Sequence, residues 1–372
     1  MAEFDFETGV ASSEWLTEVL GQNGYLESGS VVSVSQETSP FDVGASATLH
    51  GLTLTYSEDS QGARPTSLLM KVAMSGQTEG FEDILVRYSA WLFSPQSSRY
   101  EILRKEPMFY DTVRSVDEEL PLFKCFGTAT DPVNHFTCLL LEDISDTHGQ
   151  PPWPIPPDDK QCEASITSLA KVHAQWWNSK TFGTEDFPSI TAGLVSEVLD
   201  IYGNAYLEFK EDLGDRLSGP RRTVYERALD KLPSLLNQRL VDSAHLTLIH
   251  GDAHHWNILL PKLTGDAVIF DWQTWHVDVG AHDLAYQMAM GWFPDRRARL
   301  EQRLLRHYIG ELSARGVRYE WDQLTYDYRL SIVRHLFTPV IYSSFITPAV
   351  WWDHLERIFC AFNDWQCGEL LA

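Results

Sequence analysis

Basic residues are scarce in this chain: 29 Lys and Arg stand against 52 Asp and Glu, a net charge of −23 over 372 residues. A general nucleic-acid binder needs a basic stripe to neutralise phosphates, so the balance argues against that class. An acidic protein concentrates cationic ligands, although solubility alone accounts for the charge. Cysteine is also sparse. Cys125, Cys138, Cys162, Cys360 and Cys367 are odd in number and widely scattered, with no C-x-x-C pair. Neither a disulfide framework nor a zinc ribbon fits that spacing. No apolar run is long enough to span a bilayer. The first residues, Met1-Ala2-Glu3-Phe4-Asp5, are acidic where a secretory leader is basic and then apolar. The expectation is a cytoplasmic protein with neither membrane nor nucleic acid as partner; nothing in the sequence speaks to oligomeric state. Also missing are G-x-x-x-x-G-K, G-x-G-x-x-G and G-x-S-x-G, and with them three common phosphate-binding and nucleophile motifs.

What is present divides at a proline cluster. Before it, Leu52, Leu54 and Tyr56 alternate with Thr53 and Thr55, the period of a half-buried strand. Leu68-Leu69-Met70-Lys71-Val72-Ala73 reads as a second strand with a lysine inside an apolar run, and Thr137 to Leu141 as a third. Taken alone, Lys71 is an edge-strand charge facing solvent or a cation turned into a cleft. Pro151-Pro152-Trp153-Pro154-Ile155-Pro156-Pro157 excludes helix interior and central strand. Beyond it, Ile166, Leu169, Ala170 and His173 recur at helical spacing, as do Leu355, Ile358, Phe359 and Phe362. Ile258-Leu259-Leu260 and Ala267 to Phe270, either side of Thr264-Gly265, form a hairpin signal.

The chemistry concentrates at His250-Gly251-Asp252-Ala253-His254-His255-Trp256-Asn257 and at Asp271, which closes the hairpin. Phosphoryl transfer requires a carboxylate that orients the attacking hydroxyl and takes its proton, together with oxygen ligands for Mg²⁺ on the nucleotide phosphates. The hairpin returns Asp271 to the end of the loop that carries Asp252 and Asn257, so one base and two metal-binding oxygens can converge.

These motifs resemble those of the protein-kinase-like phosphotransferases of the aminoglycoside phosphotransferase, choline kinase and ecdysteroid-kinase-like group. The pattern H-G-D-x-x-x-x-N stands at His250 to Asn257, and its apolar strand ending in D-W at Ile269-Phe270-Asp271-Trp272. Gly280 to Ala285 is similar to the group's downstream D-L-A segment, Leu169 to Ala174 to its L-A-x-L-H-A helix, and Leu140 to Ile144 to its interlobe L-L-E-D-L. The resemblance implies an α+β, bilobal protein-kinase-like fold. Residues 1–141 would form a β-rich N-lobe, 142–157 the interlobe hinge and proline-rich loop, and 158–372 a mainly helical C-lobe with a catalytic loop at 248–272. It further implies an ATP- and Mg²⁺-dependent kinase of small-molecule hydroxyls, with an amino sugar, a choline-like amine or another alcohol as acceptor. Asp252 would be the base, Asn257 and Asp271 the metal ligands, and Lys71 the contact to the α- and β-phosphates. Glu106 would brace Lys71, backbone groups from Glu142 to Ile144 would hold adenine, and Ser46 would lie in the phosphate-covering loop. Pro107 disfavours helical backbone at Glu106, which makes Glu101 the fallback.

Two other readings stand beside this one: a metal-dependent hydrolase built on His250, Asp252 and His254, and a catalytically silent binding protein on the same fold. His250 and Asp283 are expected to hold the loop rather than touch substrate. Only eight residues, 272–279, separate Asp271 from Gly280, too few for the segment on which protein kinases dock peptides.

Overall fold

The computed structural model describes residues 4, 10–39, 41, 47–74, 99–113, 120–152, 155–241 and 243–372. Its N-terminal half is organised by five antiparallel strands, β1 (Val31–Thr38), β2 (Thr48–Tyr56), β3 (Ser67–Met74), β4 (Cys125–Asp131) and β5 (Phe136–Glu142), in the order β1-β2-β3-β5-β4. The period-two pattern decides what each face of β3 does. Leu68, Met70 and Val72 pack with Trp15, Leu16, Val19 and Leu20 of helix α1 (Ser13–Gln22). Leu69 and Lys71 therefore face the other way, where Leu69 joins the large core shared with the helical half. Because β3 is flanked by β2 and β5, Lys71 lies on a central strand, and the edge-strand reading does not apply. Burying a lysine there requires partners of opposite charge.

Helices α2 (Arg99–Leu103) and α3 (Lys105–Val113) follow on the Lys71 side. Glu106 is helical despite the proline that follows it, and the break between the helices limits what Pro107 costs. Pro107 is the third residue of α3, within the first turn, where a backbone N–H has no partner in its own segment to lose.

The rest is mainly helical: α4 (Asp159–Gln175), α5 (Ala192–Leu213), α6 (Gly219–Leu240), α7 (Ala281–Leu284, continued by a π-helical turn to Met290), α8 (Pro294–Ala314), α9 (Trp321–His335), α10 (Thr338–Tyr342) and α11 (Pro348–Asp364). Helix α4 opens with a reciprocal cap between Asp158 and Gln161 and buries Ile166, Leu169, Ala170 and His173. Helix α11 buries Leu355, Ile358, Phe359 and Phe362. Both stripes are the ones that the spacing predicts. The hairpin forms as β8 (Ile258–Pro261) against β9 (Val268–Ile269); β6 (His148–Gly149) joins β8, and β7 (Thr247–Ile249) pairs with β10 (His276–Asp278). No helix among the described residues is long and apolar enough to cross a membrane.

A buried ion pair fastens β10 to the helical core. Arg334 grips Asp278 through two hydrogen bonds of 3.0 and 2.6 Å, with both side chains at most 1% exposed. Burial alone would raise the Asp278 carboxyl, but the Arg334 guanidinium holds it well below its ordinary range. Its contribution to stability is thus complete above the unfolded value of about 3.9 and fades only as pH falls towards the lower folded value. Arg334→Met should cost about 3–5 kcal/mol in a urea titration at pH 7, since it leaves a buried carboxylate without its cation.

Candidate active site

The loop after β7 is held in place chiefly through its backbone. Gly251 has φ of 82°, and a Cβ there would lie 2.5 Å from the Thr274 carbonyl oxygen, so the turn requires glycine twice over. Asp283 accepts from the amides of His250 (2.8 Å) and Gly251 (2.9 Å), one on each carboxylate oxygen. His173 Nε2 lies 3.2 Å from Asp283 Oδ2, and its Nδ1 2.7 Å from the Tyr308 hydroxyl. A carboxylate only accepts, so Nε2 carries the proton and the Tyr308 hydroxyl donates to Nδ1. Burial would raise the Asp283 carboxyl; the bonds from His173 and the loop amides lower it instead.

His250 works by the same logic. The Asp252 amide donates to its Nδ1 (3.2 Å), so Nε2 bears the proton and donates to the Phe270 carbonyl (2.9 Å). Phe270 in turn donates its amide to the Asn257 carbonyl (3.1 Å). One imidazole and one amide thus join the loop carrying Asp252 and Asn257 to the strand end carrying Asp271. Asn257 Nδ2 points back at Asp252, 3.0 Å from its carbonyl and 3.4 Å from Oδ2, which leaves Oδ1 of Asn257 as the group available to a cation.

Asp271 occupies the left-handed region at φ 67°, uncommon for a residue with a side chain. Its Oδ1 accepts from Lys71 Nζ and from Gln273 Nε2, each at 2.6 Å. Lys71 Nζ is also 2.6 Å from Glu106 Oε2, while Glu106 Oε1 receives the Trp272 amide at 3.3 Å. Three elements distant in sequence, β3, α3 and the end of the hairpin, therefore meet at one ammonium. Burial would lower the Lys71 value, but Asp271 and Glu106 drive it up and keep the side chain charged. Burial likewise pushes the Asp271 carboxyl up, and Lys71 outweighs it, so Asp271 titrates below its ordinary range. Glu101 pairs instead with Arg104 at 2.9 Å.

The cleft above this triad is lined by Phe41, Leu49, Leu69, Phe123, Leu141, Leu259 and Phe270, with Lys71, Glu106 and Asp271 at its polar end. An apolar slot leading to a fixed cation suits a flat base carrying an anionic tail. Glu142 and Ile144 follow Leu141 directly. The Glu142 amide is spent on the Lys124 carbonyl (2.9 Å), and the Ile144 carbonyl accepts from Thr147 (3.0 Å) and His148 (2.9 Å). Ser46 lies outside the described residues.

The structure thus brings Lys71, Glu106, Asn257, Asp252 and Asp271 to one region. Sequence reading does not single out Gln273, Thr274 or the Tyr308–His173 pair. The signal for the last is present in the helix motif at Leu169 to Ala174; Gln273 sits in a stretch that reads only as a short connection. The hydrolase alternative loses His250, both of whose ring nitrogens are engaged by backbone. No group of three or more metal-binding side chains occurs among the described residues.

No curated protein matches the chain. Solved structures do. A protein of Ralstonia eutropha JMP134, provisionally described as an aminoglycoside phosphotransferase, superimposes with a TM-score of 0.53 at 15% identity, covering 95% of this chain and 98% of that one. A choline kinase from Cryptosporidium parvum Iowa II gives 0.50 at 13% identity, covering 96% and 95%. At such identities the likeness is one of fold, and the fold is that of kinases, with an antiparallel sheet followed by a helical region. The model of the phosphotransferase enzyme family matches residues 108–321, more than half the chain and inclusive of Asp252, Asn257 and Asp271; this protein belongs to that family.

Proposed function

We propose that the protein transfers the γ-phosphoryl group of ATP to a hydroxyl of a small molecule, with Asp252 as the base. The observation that carries this reading is the convergence on Lys71. A buried ammonium fixed between Glu106 and Asp271, at the end of an apolar slot, is arranged to receive the α- and β-phosphates of a nucleotide whose base lies against Leu49, Leu69, Leu141 and Phe270. The backbone of Glu142 to Ile144 would meet the edge of that base.

Asn257 Oδ1 and the Asp271 carboxylate are hard oxygen donors, the type that Mg²⁺ takes alongside phosphate oxygens. The ion would neutralise charge on the transferring group. The chain's own residues do the rest. Asp252, partly exposed beside the cleft, orients the attacking hydroxyl and accepts its proton. The bond from Asn257 Nδ2 fixes the backbone of Asp252 relative to the metal-binding side chains. Lys71 holds the phosphates in register. Directly after Asp271, residues 276–278 pair with β7, so the acceptor meets no extended docking segment; that favours a small molecule over a peptide. We place the enzyme in a reducing, cytoplasmic compartment, in keeping with five cysteines that form no disulfide.

Asp252→Asn should lower kcat by roughly 10²–10⁴-fold, the range for a lost general base, while Mg²⁺-ATP affinity measured by calorimetry changes little. Turnover at the wild-type rate would remove Asp252 from the mechanism. Asp271→Asn should weaken Mg²⁺-ATP binding by tenfold or more and raise the Mg²⁺ concentration needed for half-maximal rate; unchanged metal dependence would contradict its role. Both assays presuppose an acceptor, which an ATP-consumption screen over amino sugars, choline-like amines, sugars and sterol-type alcohols can supply.

A further inference from the structure

A second cavity opens beside the catalytic loop, roughly 510 Å³ including its mouth. His255 and Trp256 form one wall, Trp292, Phe293 and Arg296 another, and His354 and Arg357 of α11 the third. It adjoins the reacting centre through a short chain of contacts. The Trp256 ring lies 5.3 Å from the His254 ring, and His254 Nε2 is 3.5 Å from Asp252 Oδ2.

Its charge contradicts that of the whole protein. Arg296, Arg357 and Asp353 are the ionic side chains in the wall, two positive and one negative, so the lining carries a net charge of +1 in a chain of −23. Arg357 stacks over Phe293 at 3.9 Å and Arg296 lies over Trp292 at 5.4 Å. Such stacking presents guanidinium edges beside aromatic faces. Two histidines complete the pattern. His255 and His354 are only 6% and 5% exposed, and His255 Nε2 and His354 Nδ1 have no hydrogen-bond partner among the described residues. Buried polar atoms left in that state await a ligand or an ordered water. Burial, with the Arg357 charge adding to it, lowers the His354 imidazole to about 3, so it keeps a single N–H and stays neutral. A cation would meet repulsion here and find one carboxylate, already bonded to Arg357 at 3.1 Å. Arg296 already donates to the Pro157 carbonyl and Arg357 to the Gly291 carbonyl and Asp353, but the Nε–H of each has no partner among the described residues and is left for an anion; a planar body would find Trp256, Trp292 and Phe293.

We propose that this cavity is the acceptor site and selects an alcohol that carries an aromatic ring and a carboxylate. The assignment rests on the phosphotransferase reading above, and departs from the cationic acceptors that the sequence leaves open. In the reaction the acceptor's hydroxyl oxygen bonds to the γ-phosphorus as the bond to the β–γ bridging oxygen breaks. ADP leaves and the hydroxyl proton passes to Asp252.

The test uses a matched pair on the full chain: 3-phenyllactate, with ring, hydroxyl and carboxylate, and phenylalaninol, with ring, hydroxyl and ammonium. Calorimetry without nucleotide should show 3-phenyllactate binding at least tenfold more tightly. Arg357→Met and Arg296→Gln should each weaken it tenfold or more; a folding defect in one, seen in its melting curve, leaves the other to decide. Equal or stronger binding of phenylalaninol, or no binding of either, overturns the ligand class whether or not the protein is a kinase. Tight binding of 3-phenyllactate without its ATP-dependent phosphorylation overturns the acceptor role. If no hydroxyl compound at all is phosphorylated, it is the phosphotransferase reading that fails.

Discussion

The Lys71 ammonium is the point on which the site is assembled. A buried cation costs several kcal/mol unless it is paired, and this one is paired twice, with Glu106 and Asp271 at 2.6 Å each. Satisfying it forces β3, α3 and the end of the β8–β9 hairpin into one place, although Lys71 and Asp271 are 200 residues apart in the chain. The sheet and the helical half then share a core in which Leu69, Phe109 and Trp272 belong to a single cluster, and Phe109 stacks on Trp272 at 4.0 Å. Apolar packing supplies the cohesion; the ion triad supplies the register, since the Lys71 ammonium is bonded only where the three elements meet.

A second set of polar contacts does for the loop what Lys71 does for the lobes. Asp283, His173 and Tyr308 form a chain of hydrogen bonds that ends on two loop amides, while His250 ties the same loop to the Asp271 segment. Each imidazole has a defined tautomer because one neighbour can only accept or only donate. The shape of the loop is therefore built into side chains bonded to its backbone and to one another, and that backbone positions Asp252 and Asn257.

How much of this is legible in sequence depends on whether the deciding interaction is local. The strands of Leu52 to Tyr56 and Leu68 to Ala73, the α4 and α11 stripes and the hairpin all declare themselves by period or turn chemistry, and they form. Strands β1 and β4 and helix α1 do not; β1 exposes most of its residues, so no alternation marks it. Taken alone, Lys71 reads first as an edge charge; the motifs around Asp252 turn it towards a phosphate contact, and its strand neighbours then remove the edge reading. Pro107 argues against a helical Glu106 by a local rule that is overridden here: the break at Arg104 spares the proline a hydrogen bond, and the Glu106 carboxylate is held by Lys71 and the Trp272 amide. The positive cavity is the least legible feature of all. Its residues come from four separate stretches, Pro156, 255–256, 291–296 and 349–357, and the overall composition points to the opposite sign.

The short connection between Asp271 and α7 has one more implication. Protein kinases place a long segment at this point and use its folding as a switch. Here residues 276–278 are committed to β10, Asp278 is locked by Arg334, and Val279 donates its amide to Asp278 at 2.6 Å. A segment so engaged moves with the helical core, so the Asp271 end of the hairpin is tied to the same strand, β7, from which the loop of Asp252 departs.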